Sequence, residues 1–207
     1  MPVRLLASLA LLVVLAGCQQ TGSDSSASAK KDVPVITAPV AVAVIEARPY
    51  VLAGEESIKF LGTERGKWGE RSPVETASGR PFAEVLAEQA AAILGQQGIN
   101  AQPMPVKRKD TSEETVIATF LATGVQKLVL IRVREWNSES YTRVMARWNA
   151  EATVFDRSGT FLARRQTQGS EIVGDTRMQS DRDVGQTALQ QRLRWLLSEP
   201  AILAALG

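Results

Sequence analysis

Apolar and polar positions follow distinct rhythms along this chain. Val40 to Ile45, VAVAVI, is an unbroken run of β-formers and alanine between Pro39 and Pro49, the pattern of a strand buried on both faces. From Pro81 to Gly95 the apolar residues Phe82, Val85, Leu86, Ala90, Ile93 and Leu94 recur at helical spacing, and only Gln89 interrupts the stripe. This predicts an amphipathic helix opened by Pro81 and stopped by Gly95 or Gly98. Ile99 to Val106 reads as extended, because Pro103 and Pro105 keep it out of a helix. A second helix is expected from about Ser112 to Thr123, with Thr111 and Glu114 at capping-box spacing, an apolar face of Val116, Ile117, Phe120 and Leu121, and Gly124 as its stop.

The pattern then changes to period two. Gln126 to Trp136 is a strand centred on LVLIRV, and Ser140 to Asp156 is a longer one. In the longer strand Val144, Ala146, Trp148, Ala150, Ala152 and Val154 alternate with polar or large residues and mark the buried face. Asp156-Arg157-Ser158-Gly159 is a turn, and Thr160 to about Ile172 returns as a third strand. Asp175 to Ser180 is polar. A last helix from Asp181 to Leu197 turns Val184, Ala188, Leu189, Leu193, Leu196 and Leu197 inward; Ser198-Glu199-Pro200 breaks it, and AILAAL closes the chain as a short apolar turn. The long segment Ala47 to Arg80 holds Gly54, Gly62, Gly66, Gly69 and Gly79 and one short strand candidate, Ser57 to Gly62. Connections of this length often carry function, and they can equally be hairpins in a sheet margin. The expected fold is α+β: a single two-layer sandwich whose mixed or antiparallel sheet has a C-terminal three-strand meander and helices on one face.

The start of the chain belongs to a different class of segment. Met1 to Arg4 is short and positive, and Leu5 to Leu15 is an 11-residue apolar run, LLASLALLVVL. A membrane span needs about 20 residues, whereas a secretory h-region has this length. Leu15-Ala16-Gly17-Cys18 follows, and it resembles the lipobox of bacterial lipoproteins. The resemblance implies cleavage between Gly17 and Cys18 and acylation of Cys18; the alternative is an ordinary signal peptide with an incidental cysteine. Residues 1–17 are thus expected to be a signal peptide. Residues 18–38, rich in Ser, Ala and Gly, are expected to be a flexible tether, and 39–207 a single domain. Such a chain would be held on a membrane through its acyl groups. Gln19 takes the place of the Asp that is the usual inner-membrane retention signal in enterobacteria, which favours the outer membrane with the domain facing the periplasm.

Composition removes several classes of chemistry. The chain of 207 residues has no histidine and one cysteine, which excludes Ser-His-Asp and Cys-His catalysis, histidine-ligated metals and an intramolecular disulfide. A formal net charge of +2 gives no reason to expect nucleic acid as a partner. There is no phosphate loop and no zinc motif, so no cofactor and no metal is expected. Glu55-Glu56 and Glu113-Glu114 lack a setting for acid–base work, and the second pair suits a helix N-terminus. A Ser or Lys nucleophile stays open, but nothing selects one, so the chain is read as non-enzymatic.

Beyond the lipobox, VAVAVI at 40–45, AAILGQQGI at 91–99, FDRSG at 155–159 and LRWLLSEPAILAAL at 193–206 give the chain a pattern similar to the YajG-type lipoproteins of Gram-negative bacteria. The resemblance implies a periplasm-facing lipoprotein and carries over no catalytic residue. Two candidate binding surfaces come from the residues themselves. Arg132, Arg134, Arg143 and Arg147 fall at period-two positions on adjacent strands. They would form a basic face able to grip lipopolysaccharide phosphates, peptidoglycan carboxylates or an acidic protein, or else a solvated face paired to Glu135 and Glu151. Trp68, in the glycine-flanked segment Glu64 to Arg71, would be either an exposed docking anchor or a plug folded back on the domain. The function expected is a binding and assembly module for an envelope protein or complex, with direct binding of an anionic envelope polymer through the arginines as the alternative.

Overall fold

In the computed structural model, which describes residues 39–107, 111–175 and 181–207, the apolar run at Val40 is the central strand. β1 (Val40–Glu46) leads through a one-turn helix α1 (Pro49–Leu52) into a hairpin, β2 (Phe60–Arg65) and β3 (Arg71–Glu75). Then follow α2 (Phe82–Gln96), β4 (Ala101–Pro103), α3 (Glu113–Thr123), the meander β5 (Lys127–Ser140), β6 (Arg143–Asp156) and β7 (Phe161–Asp175), and the helices α4 (Asp181–Leu197) and α5 (Pro200–Leu206). β1 lies between β4 and β5, parallel to both. The connections from β1 to β4 and from β4 to β5 therefore run in opposite directions across the sheet, and their helices fall on opposite faces.

That arrangement explains why β1 is apolar at every position. Val40, Val42 and Val44 join Val129, Ile131, Val133, Trp136 and Trp148 in the larger core, under α2, α4 and α5. Ala41, Ala43 and Ile45 join Leu128, Leu130 and Phe155 in a smaller core capped by Val116 and Phe120 of α3. The expected α+β sandwich, with a mixed sheet and a C-terminal three-strand meander, is the observed architecture. Three helices cover one face, and the short α3 shields part of the other.

β5 is long enough to serve two neighbours along one edge. Its first half, Lys127 to Val133, pairs with β1; Ser138 to Ser140 pairs with β2. Between these stretches the sheet forks, and Arg48 fills the fork. Its side chain is fully buried. Nη1 donates to the carbonyls of Phe60 (2.8 Å) and Trp136 (3.2 Å), while Nε and Nη2 clasp both oxygens of Glu46 at 2.8 and 2.6 Å. The guanidinium carbon lies 4.1 Å from the centre of the Phe82 ring, a cation–π contact in a desolvated setting. Tyr50 closes the same corner by donating to Glu135 at 3.1 Å; burial, then Glu135, push the Tyr50 hydroxyl well above the usual phenol range against the pull of Arg48.

Several local expectations need correction. β5 does not end at Trp136 as expected but continues through Asn137-Ser138-Glu139-Ser140, so Ser140 closes this strand rather than opening the next, and the reversal is at Tyr141-Thr142. A bulge between Val133 and Glu135 resets the alternation, so the buried face continues through Trp136 into Ser138 and Ser140, whose small hydroxyl side chains are buried. Of the two expectations for Ala47 to Arg80, the structure shows the hairpin in the sheet margin, preceded by a helical turn, and the strand expected at Ser57 to Gly62 lies three residues later as β2. AILAAL forms helix α5. The α3 cap is Ser112, not Thr111: its Oγ accepts from the Thr115 N–H at 3.2 Å. Trp148 is in the core as its alternation predicts, donating to Thr167 Oγ1 at 3.0 Å. Gly169 lets β7 pass over that indole, since a Cβ there would meet the ring at 2.6 Å.

Candidate functional site

The sheet face away from α2, α4 and α5 carries all four predicted arginines. Arg143 and Arg147 alternate with the buried residues of β6, and Arg132 stands opposite Glu151 in the β5–β6 register. The bulge leaves Arg134 without a Cα partner, yet its guanidinium reaches the same face, 3.9 Å from Glu151. The four do not form one open cluster. Arg132 lies beside α3 and binds Glu113 at 2.9 Å, an acid that no sequence pattern places on this face. Glu151 is shared by Arg134 and Arg164. Arg147 binds Glu139 at 3.4 Å, and Arg143 is exposed opposite Asp175 in the strand register. Neutralisation is therefore more complete than a count of acids on β6 suggests, because Glu113 and Glu139 come from other elements. Glu135, one of the pairing acids expected from sequence, accepts from Tyr50 instead.

Glu139 joins the arginine face to the second candidate surface. It accepts from Arg65 Nε at 2.8 Å, at the end of β2 next to the hairpin turn. That hydrogen bond, with the charges of Arg65, Arg147 and Arg71, holds its carboxyl below the usual range despite partial burial. The hairpin ends in Gly66-Lys67-Trp68-Gly69, and the indole of Trp68 is 93% exposed, so it does not fold back as a plug. The tip is nonetheless well specified. Gly66 N–H donates to the Glu70 carbonyl at 3.0 Å and Gly69 N–H to the Gly66 carbonyl at 2.9 Å. The Glu70 carboxylate accepts from the Trp68 N–H at 3.0 Å. Gly69 takes φ +81°, a conformation that L side chains resist. A rigid amphipathic ring on a pinned loop is a low-entropy contact group.

The distal end of the sheet thus presents Trp68 and Lys67, with Arg65, Arg71, Arg143 and Arg147 behind them and Glu139 between. What this arrangement can do is bind: a flat aromatic face flanked by cations suits an apolar group with acidic neighbours. The sequence points to Trp68 with its Glu64 to Arg71 segment and to the four arginines, but not to Glu139, which links them through Arg65 and Arg147; its only signal is its place between residues already singled out. Among the described residues no group of three acids or thiols is placed to hold a metal, and no helix is long and apolar enough to cross a membrane. Gly17 and Cys18 lie outside the described residues.

No family model matches the chain, and no curated protein matches it. Among solved structures it is similar to a Xanthomonas campestris protein of family DUF330, at 15% identity and a TM-score of 0.48, over 84% of this chain and 90% of that one. It is also similar to PelC of Paraburkholderia phytofirmans, described as a dodecamer, at 15% identity and a TM-score of 0.44, over 80% and 89% of the two chains. A lipoprotein of Neisseria meningitidis matches at 16% identity and a TM-score of 0.38, over 74% and 95%.

Proposed function

We propose that this protein is a lipid-anchored bacterial lipoprotein of the YajG-like kind. It is held at the outer membrane through acylated Cys18 and docks an envelope protein or complex on the periplasmic side without catalysing a reaction. The observation that carries the docking role is Trp68: an almost fully exposed indole on a loop fixed by Gly66, Gly69 and Glu70, continuous through Arg65 and Glu139 with the arginine face. A single exposed ring is ordinary on a protein surface; what favours an anchor is that this one is a tryptophan, held outward on a fixed turn and flanked by cations. Direct binding of lipopolysaccharide or peptidoglycan by the arginines is the weaker reading, since carboxylates already balance Arg132, Arg134 and Arg147.

The test is recovery of partners from detergent-solubilised envelopes by the full-length protein. Trp68→Ala should weaken recovery by roughly 30-fold, the effect of losing an anchor worth about 2 kcal/mol. Arg143→Ser with Arg147→Ser should weaken it less and reduce its salt sensitivity. A Cys18→Ser chain should lack acylation by mass spectrometry. If both surface variants fold and recover the same partners as wild type, the docking surface is elsewhere; recovery of glycan or lipopolysaccharide alone would favour the polymer reading.

A further inference from the structure

The two ends of the sheet are protected differently. One end divides into β3, five residues long and containing Pro73, and β4, three residues long and ending in Pro103. Short strands and prolines are the usual means of blunting an edge. The other end is β7, 15 residues long, with neither proline nor lysine. It pairs only with β6, and among the described residues no backbone hydrogen bond meets its outer side. Its two irregularities, at Leu162 and Val173, lie near its ends, so Ala163 to Ile172 runs in unbroken register.

Exposed apolar side chains gather along this edge. Phe161 (52%), Leu162 (41%) and Ile172 (55%) are on β7 itself, and Trp195 (47%) projects from α4 beside the strand, 5.6 Å from the Arg165 guanidinium. These are four of the eight large exposed hydrophobics among the described residues. A solvated edge has no need of them.

We infer that β7 is a homodimerisation edge, on which a second copy of this chain adds its own β7 antiparallel about a twofold axis at Gln168, making one continuous sheet. The charge pattern selects the occupant and the register. With Gln168 opposite its own copy, Arg165 stands opposite Glu171 on both sides of the axis, on the face that carries the helices. Arg165 is already paired with Glu199 at 3.4 Å, and Glu171 with Arg192. The dimer would therefore align Glu199, Arg165, the partner's Glu171 and the partner's Arg192 in a row of alternating sign. On the open face Gln166 meets Ser170 and Arg164 meets Ile172, with no like charges opposed. A register centred on Arg164 or Arg165 would place arginine against arginine. This inference is independent of the docking role of Trp68, whose hairpin is at the other end of the sheet.

Disulfide trapping in the full-length protein tests both the edge and the register. Gln168 is exposed, so Gln168→Cys should fold, and the native chain, whose one thiol is Cys18, gives the background. In the proposed pair the two Cα atoms at 168 lie about 4.5–5.5 Å apart, within disulfide reach. Two copies of Gln166→Cys would be about 13 Å apart along the strand and should not link. Gln166→Cys mixed with Ser170→Cys should link. The expected result is a dimer band for Gln168→Cys and for the mixture, with the Gln166→Cys chain alone at background. Background-level linking by Gln168→Cys, equal linking by Gln166→Cys alone, or a wild-type protein that sediments as a monomer at tens of micromolar would each overturn the proposal.

Discussion

Replacing Arg48 by Met removes the charge from the sheet fork while keeping a long side chain against Phe82. Two carbonyls, Phe60 O and Trp136 O, then lose a cationic donor in a place water does not reach. Hydrogen bonds to charged groups contribute about 1.5–3 kcal/mol each. Glu46 loses its bidentate partner as well, and breaking a buried pair from one side costs about 3–5 kcal/mol. These figures overlap and do not add. The Glu46 side chain is 14% exposed, so a stranded carboxylate would recover part of its hydration, and Met would recover some packing. The net loss should be about 3–4 kcal/mol, or roughly 6–16 °C in Tm at about 2–4 °C per kcal/mol for a domain of this size. Urea denaturation followed by circular dichroism reads it as a lower midpoint at an unchanged slope. Arg48→Met combined with Glu46→Gln should be less damaging than the two singles together, with a coupling of about 1.5 kcal/mol or more. A loss under about 1 kcal/mol, or a strictly additive cycle, would mean that the strand ladders hold the fork without Arg48.

Trp148→Ala should destabilise the domain by about 3–5 kcal/mol, because the ring is buried, donates to Thr167 and lies 4.5 Å from the Arg192 guanidinium; an unchanged denaturation midpoint would contradict this packing. Acid should weaken the joint between the hairpin and the sheet. The hydrogen bond from Arg65 holds the Glu139 carboxyl below its ordinary value, so its contribution is complete above that ordinary value and is lost as pH falls through the lower folded one. Glu139→Gln should flatten this part of the stability–pH profile, and an identical acid slope in the two proteins would rule out the role given to Arg65.

Residues with a strict period were read correctly, and those that break the period were not. β1, α2 and the alternating face of β6 were legible because each repeats one environment over many positions. The β5 end was set too early, at Trp136, because the bulge after Val133 shifts the phase, and because Ser138 and Ser140 are buried although polar. The β2–β3 hairpin was obscured by its glycines and charges, with Phe60 and Leu61 as its only buried apolar pair next to a single Val74. α5 was mistaken for a turn through its brevity, although Pro200 stands at its first position, where proline suits a helix. The arginine face was legible in register but not in charge balance, since Glu113 and Glu139 reach it from α3 and β5. Arg48 was overlooked altogether. A single arginine between a strand and a proline has no pattern, and only the fork gives it a meaning.

The fork also bears on how Trp68 is held. β2 touches β5 through only three paired positions, Gly62 to Glu64 against Ser138 to Ser140, a short ladder for a hairpin that projects a large ring into solvent. Close approach strengthens that contact: a Cβ at Gly62 would fall 2.1 Å from the Ser138 carbonyl, so only glycine lets the strands meet there. Arg48 adds a second tie just upstream, because the carbonyls it bridges belong to the first residue of β2 and to β5 two residues before the ladder begins. Arg65 and Glu139 add a third at the far end. The hairpin is thus fixed at both ends of a three-residue contact, which sets the direction of Trp68 relative to Arg143 and Arg147. If Trp68 docks a partner as proposed, Arg48→Met should lower partner recovery from solubilised envelopes while the domain stays folded, even though Arg48, fully buried, cannot touch a partner; unchanged recovery would mean that the fork does not set the direction of Trp68.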